Sequence, residues 1–277
     1  MTDLNVRLPE PVAKRLQVPS PRHALRRSIS TRPRLYLPLA RWKSGDSVLG
    51  AETELVIDSF PRCANTFAVI AFQLAQNSHV RVAHHMHASA SLLAAAARGV
   101  PALVPVREPQ PTIVSGYIRE PQFTLRQLLK DYCSFFESII PVRDRFVIAT
   151  FDEVTSDLGA VIGRVNERFG TRFRDFEHSQ ENIEMVFALI DERSEGPPWQ
   201  PFLNRFASGV ISADEYFEAT QVHRVARRDT FIVPENRIQR PSPRREAMKS
   251  QVQERYRDPA LAGLRARAER AFRGFVG

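Results

Sequence analysis

Three histidines, His84, His85 and His87, lie within four residues of the stretch VAHHMHASASLL. Imidazole is the side chain best suited to exchange a proton near neutral pH, so this cluster could supply a general base. The apolar residues before it predict a strand whose carboxyl end carries the histidines. Alternation along that strand predicts His85 and His87 on one face and His84 on the other. A single histidine is more often structural, whereas three together favour a site.

A second stretch, LVIDSFPRCANTFAVIAFQLA, predicts a strand, a short polar turn and a helix that begins at Asn65. Four of its residues stand at fixed positions of the phosphate loop G-x-x-x-x-G-K-[ST], namely Ser59, Ala64, Asn65 and Thr66. Both glycines and the lysine are missing, so an ATP or GTP loop of that form is not expected. Backbone N–H groups at the helix start, together with Arg62, could still hold an anion. The alternative is a plain strand-to-helix connection.

A third stretch, VPVREPQPTIVSGY, places Arg107 at the end of another predicted strand. Ser115 follows eight residues later, about two turns into the next helix. Ligands of open α/β folds bind at the carboxyl edge of the sheet. These residues therefore predict a second anion site near the first.

The elements that must position these residues alternate between strand and helix from residue 54 onward. Such alternation predicts an α/β fold with a central parallel sheet flanked by helices, in a three-layer architecture like that of phosphate-loop proteins. We expect one α/β domain over residues 51–277. Residues 1–50, rich in proline and arginine, are predicted to form a basic N-terminal extension.

The chain has 277 residues and a formal net charge of +8, which is distributed unevenly. Residues 1–50 carry 10 basic and 3 acidic side chains and residues 221–277 carry 14 and 6, while the middle is acidic. This pattern predicts local anion sites and no nucleic-acid partner, because no basic surface runs along the whole chain. Residues 1–50 could also contact a membrane surface. Solvent-exposed arginines are the alternative explanation for most of these charges.

The two cysteines, Cys63 and Cys133, are too few for a disulfide framework and lack a metal-ligand spacing. We find no apolar run of membrane-spanning length and no secretory signal at the N-terminus. The expectation is a cytoplasmic protein.

The segments SFPRCANTF and VREPQPTIVSGY resemble the two cofactor loops of the sulfotransferases that use 3′-phosphoadenosine 5′-phosphosulfate (PAPS). That family's patterns are approximately [ST]-[YF]-P-[KR]-S-G-[NST]-T-[WF] and R-[DE]-P-x-x-x-x-x-S-x-Y. The segment FDEV, followed by LGAVIGRVNERFG, is similar to a third element of the family. The resemblance covers residues 54–173, with a weaker similarity in RIQRPSPRREAMK. It implies sulfuryl transfer from PAPS to a hydroxyl or an amine of an acceptor.

The resemblance also implies roles for individual residues. Six residues would hold the 5′-phosphosulfate: Ser59, Arg62, Cys63, Ala64, Asn65 and Thr66. Arg107 and Ser115 would hold the 3′-phosphate, and the rings of Phe67 and Phe151 would lie at the adenine. Arg62 would neutralise charge on the leaving group, and Arg237 or Arg240 could replace an arginine element near the family's C-terminus. The scheme requires no metal.

The general base implied by the resemblance is His87, because Leu92 and Leu93 follow it at the family's spacing. His85 takes the position of a family lysine. Cys63 and Ala64 depart from the usual Ser-Gly pair. An alanine adopts a left-handed backbone only at a cost, so PAPS affinity should be poor if the turn requires positive φ at Ala64.

The acceptor is not specified by the sequence, and a small molecule, a glycan or a lipid all fit the family. Two other functions stay open at this point. One is a kinase-like phosphotransferase, which the absence of the loop lysine disfavours. The other is a degenerate, non-catalytic protein that binds a nucleotide or a membrane.

Overall fold

Four short apolar segments form a parallel sheet with the strand order β2-β1-β3-β4. They are β1 (Leu55–Ile57), β2 (Val82–His84), β3 (Ala102–Val106) and β4 (Val147–Thr150). The computed structural model describes residues 21–120, 122–195, 199–225 and 243–277. Because all four strands run in the same direction, their carboxyl ends lie along one edge of the sheet.

The helices connect and cover the strands. In chain order they are α1 (Pro21–Ile29), α2 (Pro33–Ser44), α3 (Asn65–Ala75), α4 (Ser89–Arg98), α5 (Pro109–Arg119), α6 (Leu125–Ile139), α7 (Phe151–Ser156), α8 (Leu158–Phe169), α9 (Gln180–Glu195), α10 (Gln200–Ala207), α11 (Ala213–Val225), α12 (Pro243–Tyr256) and α13 (Ala262–Val276). Short 3₁₀ helices occupy Gly45–Ser47, Ile140–Arg145 and Pro259–Leu261.

Side chains of the buried strands alternate between two hydrophobic clusters, one on each side of the sheet. Val56 of β1 packs with the side that contains α2, α4, α5, α6, α12 and α13. Leu55 and Ile57 pack with the opposite side, which contains α3 and α7 to α11. This is the two-residue period of a strand with helices on both faces. The predicted α/β fold, with a parallel sheet between two helical layers, is confirmed.

Local sequence signals set several helix ends. Helix α3 begins at Asn65, as predicted. Helices α4 and α8 end at Gly99 and Gly170, which have left-handed φ values of 69° and 67°. Glycine accepts this conformation without steric cost, so both helices end there.

Residues 21–50 pack on the α/β core. Leu37 and Ala40 of α2 belong to the cluster that contains α4, and the hydroxyl of Tyr36 donates a hydrogen bond to the carbonyl of Met86 at 3.0 Å. The boundary at residue 50 stays a prediction, and residues 1–20 lie outside the described ranges. No helix in the described ranges is both long enough and apolar enough to cross a membrane.

Candidate functional site

A cavity of about 830 Å³ opens at the carboxyl edge of the sheet. Residues that follow each of the four strands line it, including Arg62, His87, Arg107 and Phe151. The sheet therefore brings together the segments that the sequence singled out, although they are far apart along the chain. A volume of this size is typical of pockets for nucleotides and drug-sized ligands.

The turn between β1 and α3 has an unusual backbone. Arg62 and Ala64 have φ values of 73° and 70°. For residues other than glycine, such left-handed geometry costs about 1–2 kcal/mol. Ala64 is the N-cap residue of α3, and no hydrogen bond from a described side chain caps this helix. The turn thus has the geometry in which the sequence predicted poor PAPS affinity for an alanine.

The two predicted anion sites are connected by a hydrogen bond. Arg62 Nε donates to Ser115 Oγ at 2.9 Å, and both residues line the cavity. Asn65 stabilises the turn from within, because its Nδ2 donates to the carbonyl of Phe60 at 3.0 Å. Thr66 lies on the cavity wall. The sites predicted separately therefore form one continuous wall.

Two residues of the same turn lie elsewhere. Ser59 and Cys63 are fully buried, and neither is among the described residues that line the cavity. Cys63 packs in the hydrophobic core, where burial raises the pKa of its thiol to about 11. The structure therefore does not place these two residues on the cavity wall with the rest of the turn.

The histidine segment corrects the predicted alternation. β2 ends at His84, and His85 and His87 have φ values of 57° and 49°. A left-handed residue redirects the backbone, so the two-residue period does not continue past His84. The prediction that His84 and His85 lie on opposite faces is wrong, since their Nδ1 atoms are 2.7 Å from each other. Both His85 and His87 line the cavity, as predicted.

His84 and His85 belong to a chain of hydrogen bonds that begins at the cavity. Thr66 Oγ1 is 3.0 Å from His85 Nε2, and His84 Nε2 is 3.1 Å from Ser208 Oγ. Burial lowers the pKa of both histidines well below its ordinary value, and the positive charge of Arg193 lowers it further. Both rings are therefore neutral, and one of the two Nδ1 atoms carries the shared proton.

His87 has a defined tautomer. Its Nδ1 is 2.8 Å from the carbonyl oxygen of Ser59, which can only accept, so Nδ1 carries the proton. Nε2 of the neutral ring is then an acceptor. The side chain is 24% exposed. Burial lowers the pKa of His87 to about 4, while the hydrogen bond to Ser59 acts in the opposite direction. At neutral pH, His87 is in the form that can accept a proton.

Asp58 is a site residue that sequence reasoning missed. It is fully buried just after β1, and its Oδ1 accepts hydrogen bonds from the backbone N–H groups of Ser59 at 3.0 Å and His87 at 3.1 Å. These bonds join the turn after β1 to the histidine segment. Burial raises the pKa of Asp58 to about 7. The sequence signal was an acidic residue directly after a buried strand.

The contact between Asp58 and His87 is not an ion pair over much of the pH range. His87 Nδ1 lies 3.8 Å from Asp58 Oδ1. With pKa values of about 7 for Asp58 and about 4 for His87, both groups are neutral between those values. Asp58 therefore positions the segment through its backbone hydrogen bonds.

Arg107 lies against an aromatic ring. Its guanidinium carbon is 3.8 Å from the centre of the Phe151 ring, a cation–π contact. The hydroxyl of Tyr132 donates to the Arg107 carbonyl at 2.8 Å, which fixes the backbone there. Phe67 also lines the cavity and packs against the rings of Phe176 and Phe187. Both predicted aromatic residues are thus present on the wall.

The cavity wall is strongly basic. Its cationic side chains are Arg26, Arg27, Arg62, Arg107, Arg119, Arg193 and Lys249, against the two carboxylates of Glu120 and Asp131. Five of these cations were not predicted. They come from α1, α5, α9 and α12, and no local motif marks them, because distant segments converge only in the folded chain.

Arg193 is the most informative of these additional cations. Its Nη1 atom is buried and has no hydrogen-bond partner among the described residues. Burial, and then the charge of Arg119, lowers the pKa of Arg193 to about 10, so the group is still charged at neutral pH. A buried charged donor without a partner is costly, which points to an anionic ligand.

Arg237 and Arg240, the predicted C-terminal anion ligands, lie outside the described ranges. Within those ranges, we find no group of three or more histidine, cysteine, aspartate or glutamate side chains placed to hold a metal ion.

No model of a known protein family matches the chain, and no curated protein or solved structure shows significant similarity to it.

Proposed function

We propose that this protein transfers a sulfuryl group from PAPS to a hydroxyl group of an acceptor. The observation that carries the proposal is that one cavity contains the turn after β1, the Arg107 and Ser115 element, and His87 with Nε2 as an acceptor. These are the three parts that the resemblance to PAPS-dependent sulfotransferases assigns to cofactor binding and proton removal.

The donor set of the cavity fits the charges of PAPS. PAPS has a 5′-phosphosulfate and a 3′-phosphate, so a binding site needs separated cations and a surface for adenine. Arg62, which is hydrogen-bonded to Ser115, and the N-terminus of α3 provide donors on one part of the wall, and Arg107, which lies over the Phe151 ring, provides further donors. Phe67 offers an aromatic surface. The buried Nη1 of Arg193 is a further donor that an anion would satisfy.

His87 is proposed to remove the acceptor proton. The Ser59 carbonyl holds the Nδ1 proton, so Nε2 is the atom that receives the new proton. Burial and nearby arginines keep the pKa of His87 low, but anionic groups bound beside it would raise that pKa and make the ring a stronger base. When bound, PAPS supplies the sulfuryl group and a leaving group, adenosine 3′,5′-bisphosphate. Arg62 neutralises developing negative charge.

Asn65 stands where an ATP-using loop has its lysine. Its Nδ2 donates to the carbonyl of Phe60 and so holds the turn closed on itself. An amide supplies no charge for the β- and γ-phosphates of a nucleoside triphosphate. We therefore favour sulfuryl transfer over a kinase-like reaction, with a small molecule, a glycan or a lipid as the acceptor.

The first test measures the thermal shift and Kd with adenosine 3′,5′-bisphosphate, compared with ATP and Mg²⁺. We expect the bisphosphate to stabilise the fold and Arg107→Ala to remove most of the shift. Loss of one charge-assisted phosphate contact is worth about 1.5–3 kcal/mol, or a ~10- to 150-fold weaker Kd.

The matched control is Arg172→Ala, which removes an exposed arginine that does not line the cavity as described. It should leave the shift unchanged. An equal shift in Arg107→Ala and the wild type would contradict the site. Stabilisation by ATP and Mg²⁺ alone, with no response to the bisphosphate, would contradict the proposed reaction.

A further inference from the structure

Helix α2 has apolar side chains on two opposite faces. Leu37 and Ala40 are buried against the core. Leu35, Leu39 and Trp42 are 50%, 58% and 92% exposed. Their spacing of four and three residues places them on one stripe of the helix, away from the buried pair. We call these three residues the outer face of α2. A helix that is apolar on both sides is normally covered on both sides.

Basic side chains surround the outer face. Arg32, Arg34, Arg41 and Lys43 lie on or beside α2 and are exposed. A shallow groove between α2 and α4 continues the apolar surface through Leu93, and Arg98 lies at its border. No acidic residue is among the described side chains that line this groove. The surface therefore combines exposed leucine and tryptophan with positive charge.

We propose that the outer face of α2 binds an anionic lipid surface. Leucine and tryptophan insert at the boundary between headgroups and acyl chains, and arginine and lysine contact the anionic headgroups. A symmetric contact between two copies of this face would oppose basic borders of equal charge, which disfavours self-association. The inference goes beyond the proposed sulfuryl transfer and does not depend on it.

The test uses the full chain and the emission of Trp42. The only other tryptophan is Trp199, which is buried, so a Trp199→Phe background makes Trp42 the sole reporter. Vesicles of equimolar phosphatidylcholine and phosphatidylglycerol should shift the Trp42 emission to the blue and sediment the protein. Phosphatidylcholine vesicles should bind at least ~10-fold more weakly, and high salt should weaken binding to the anionic vesicles.

Substitutions test whether the outer face of α2 is the surface that binds the vesicles. In the two-tryptophan chain, Leu39→Ser with Trp42→Ser should weaken sedimentation with anionic vesicles by at least ~10-fold. The matched control replaces two exposed apolar residues elsewhere, Phe202→Ser with Val276→Ser, and should keep binding. Arg34→Glu should weaken binding more than Arg172→Glu, an exposed arginine outside this face.

Three results would overturn the inference. One is no Trp42 shift and no sedimentation with anionic vesicles. Another is equal binding by the outer-face double variant and the wild type. The third is a wild-type dimer in sedimentation velocity that Leu39→Ser with Trp42→Ser converts to monomer, since the outer face would then bind a second copy.

Discussion

Helices α3 and α6 begin in opposite ways. At α6, Thr124 and Gln127 form a capping box, in which each side chain accepts a hydrogen bond from the backbone N–H of the other residue. At α3, the N-cap is Ala64, which has a left-handed backbone and offers no capping side chain. The N-terminal N–H groups of α6 are therefore capped by its own side chains, whereas the N-terminus of α3 lies at the basic cavity.

The difference extends beyond the two helix ends. Every non-glycine residue with positive φ in the described ranges, namely Arg62, Ala64, His85 and His87, lies in the candidate site. Asp58, which has a raised pKa, lies there as well, as does Nη1 of Arg193, which has no hydrogen-bond partner among the described residues. Helix α6 begins with a satisfied cap, while the carboxyl edge of the sheet contains left-handed non-glycine residues and a buried donor without a described partner. Such departures concentrate where a protein binds or reacts.

The largest expected effect is on turnover. His87→Ala should lower the rate of sulfuryl transfer by about 10²–10⁴-fold, because a general base acts on the acceptor proton during transfer. The Kd for adenosine 3′,5′-bisphosphate should change much less. The measurement is transfer from labelled PAPS to a panel of alcohols, phenols, glycans and lipids at saturating PAPS. His85→Ala should lower the rate less than His87→Ala.

A fully active His87→Ala enzyme would remove His87 from the mechanism. An inactive His85→Ala enzyme beside an active His87→Ala enzyme would move the base to the chain formed by His85 and His84. Either result would leave the contrast between the two helix ends intact, since that contrast rests on backbone geometry.

The second effect concerns stability and pH. The pKa of Asp58 is raised to about 7 in the folded state. Between about pH 4 and pH 7, the folded chain therefore keeps a proton on Asp58 that the unfolded chain releases. The contribution of Asp58 to stability is therefore full below about pH 4 and lost as the pH rises through about 7. The side chain of Asp58→Asn does not titrate. Its free energy of unfolding should therefore rise relative to that of the wild type as the pH increases, by about 4 kcal/mol in total.

Urea unfolding at several pH values gives the required comparison. Asp58→Ala is the control, because alanine also does not titrate but cannot accept the hydrogen bonds from Ser59 and His87. Its free energy of unfolding should follow the pH dependence of Asp58→Asn and lie below it at every pH. A difference in free energy of unfolding between Asp58→Asn and the wild type that stays constant with pH would show that Asp58 does not titrate in this range. Ionisation of the buried Asp58 would then destabilise the folded state less than its burial indicates.

The smallest effect tests the left-handed N-cap. Ala64→Gly should raise the free energy of unfolding by about 1 kcal/mol, because glycine adopts φ near 70° without a clash. It should also tighten the binding of adenosine 3′,5′-bisphosphate, since glycine has no Cβ to hinder a close approach of the anion to the backbone of the turn. Urea unfolding and calorimetric titration measure the two quantities.

Two controls separate strain from capping. Ala88→Gly changes the N-cap of α4, where φ is −138°, and should bring no comparable gain. Thr124→Ala should cost about 1 kcal/mol by removing the cap of α6, with binding unchanged. Weaker binding by Ala64→Gly would show that the alanine geometry is itself part of the site.

The amino-acid sequence determined the elements and their order. The strand and helix periods, the helix start at Asn65 and the glycine stops at Gly99 and Gly170 all depend on residues a few positions apart. It also determined that Arg62, Arg107 and the histidines would meet, because the carboxyl ends of parallel strands lie at one edge.

Only the tertiary structure decided how those residues are held and what joins them. Positive φ is uncommon for every residue except glycine, including histidine, which adopts it more often than most, so local preference does not predict the backbone of Ala64, His85 or His87. Arg193 reaches the cavity from α9, far along the chain, and its burial depends on the packing of both helical layers. Local patterns report short-range interactions, whereas the charge and strain of the site arise from contacts between distant segments.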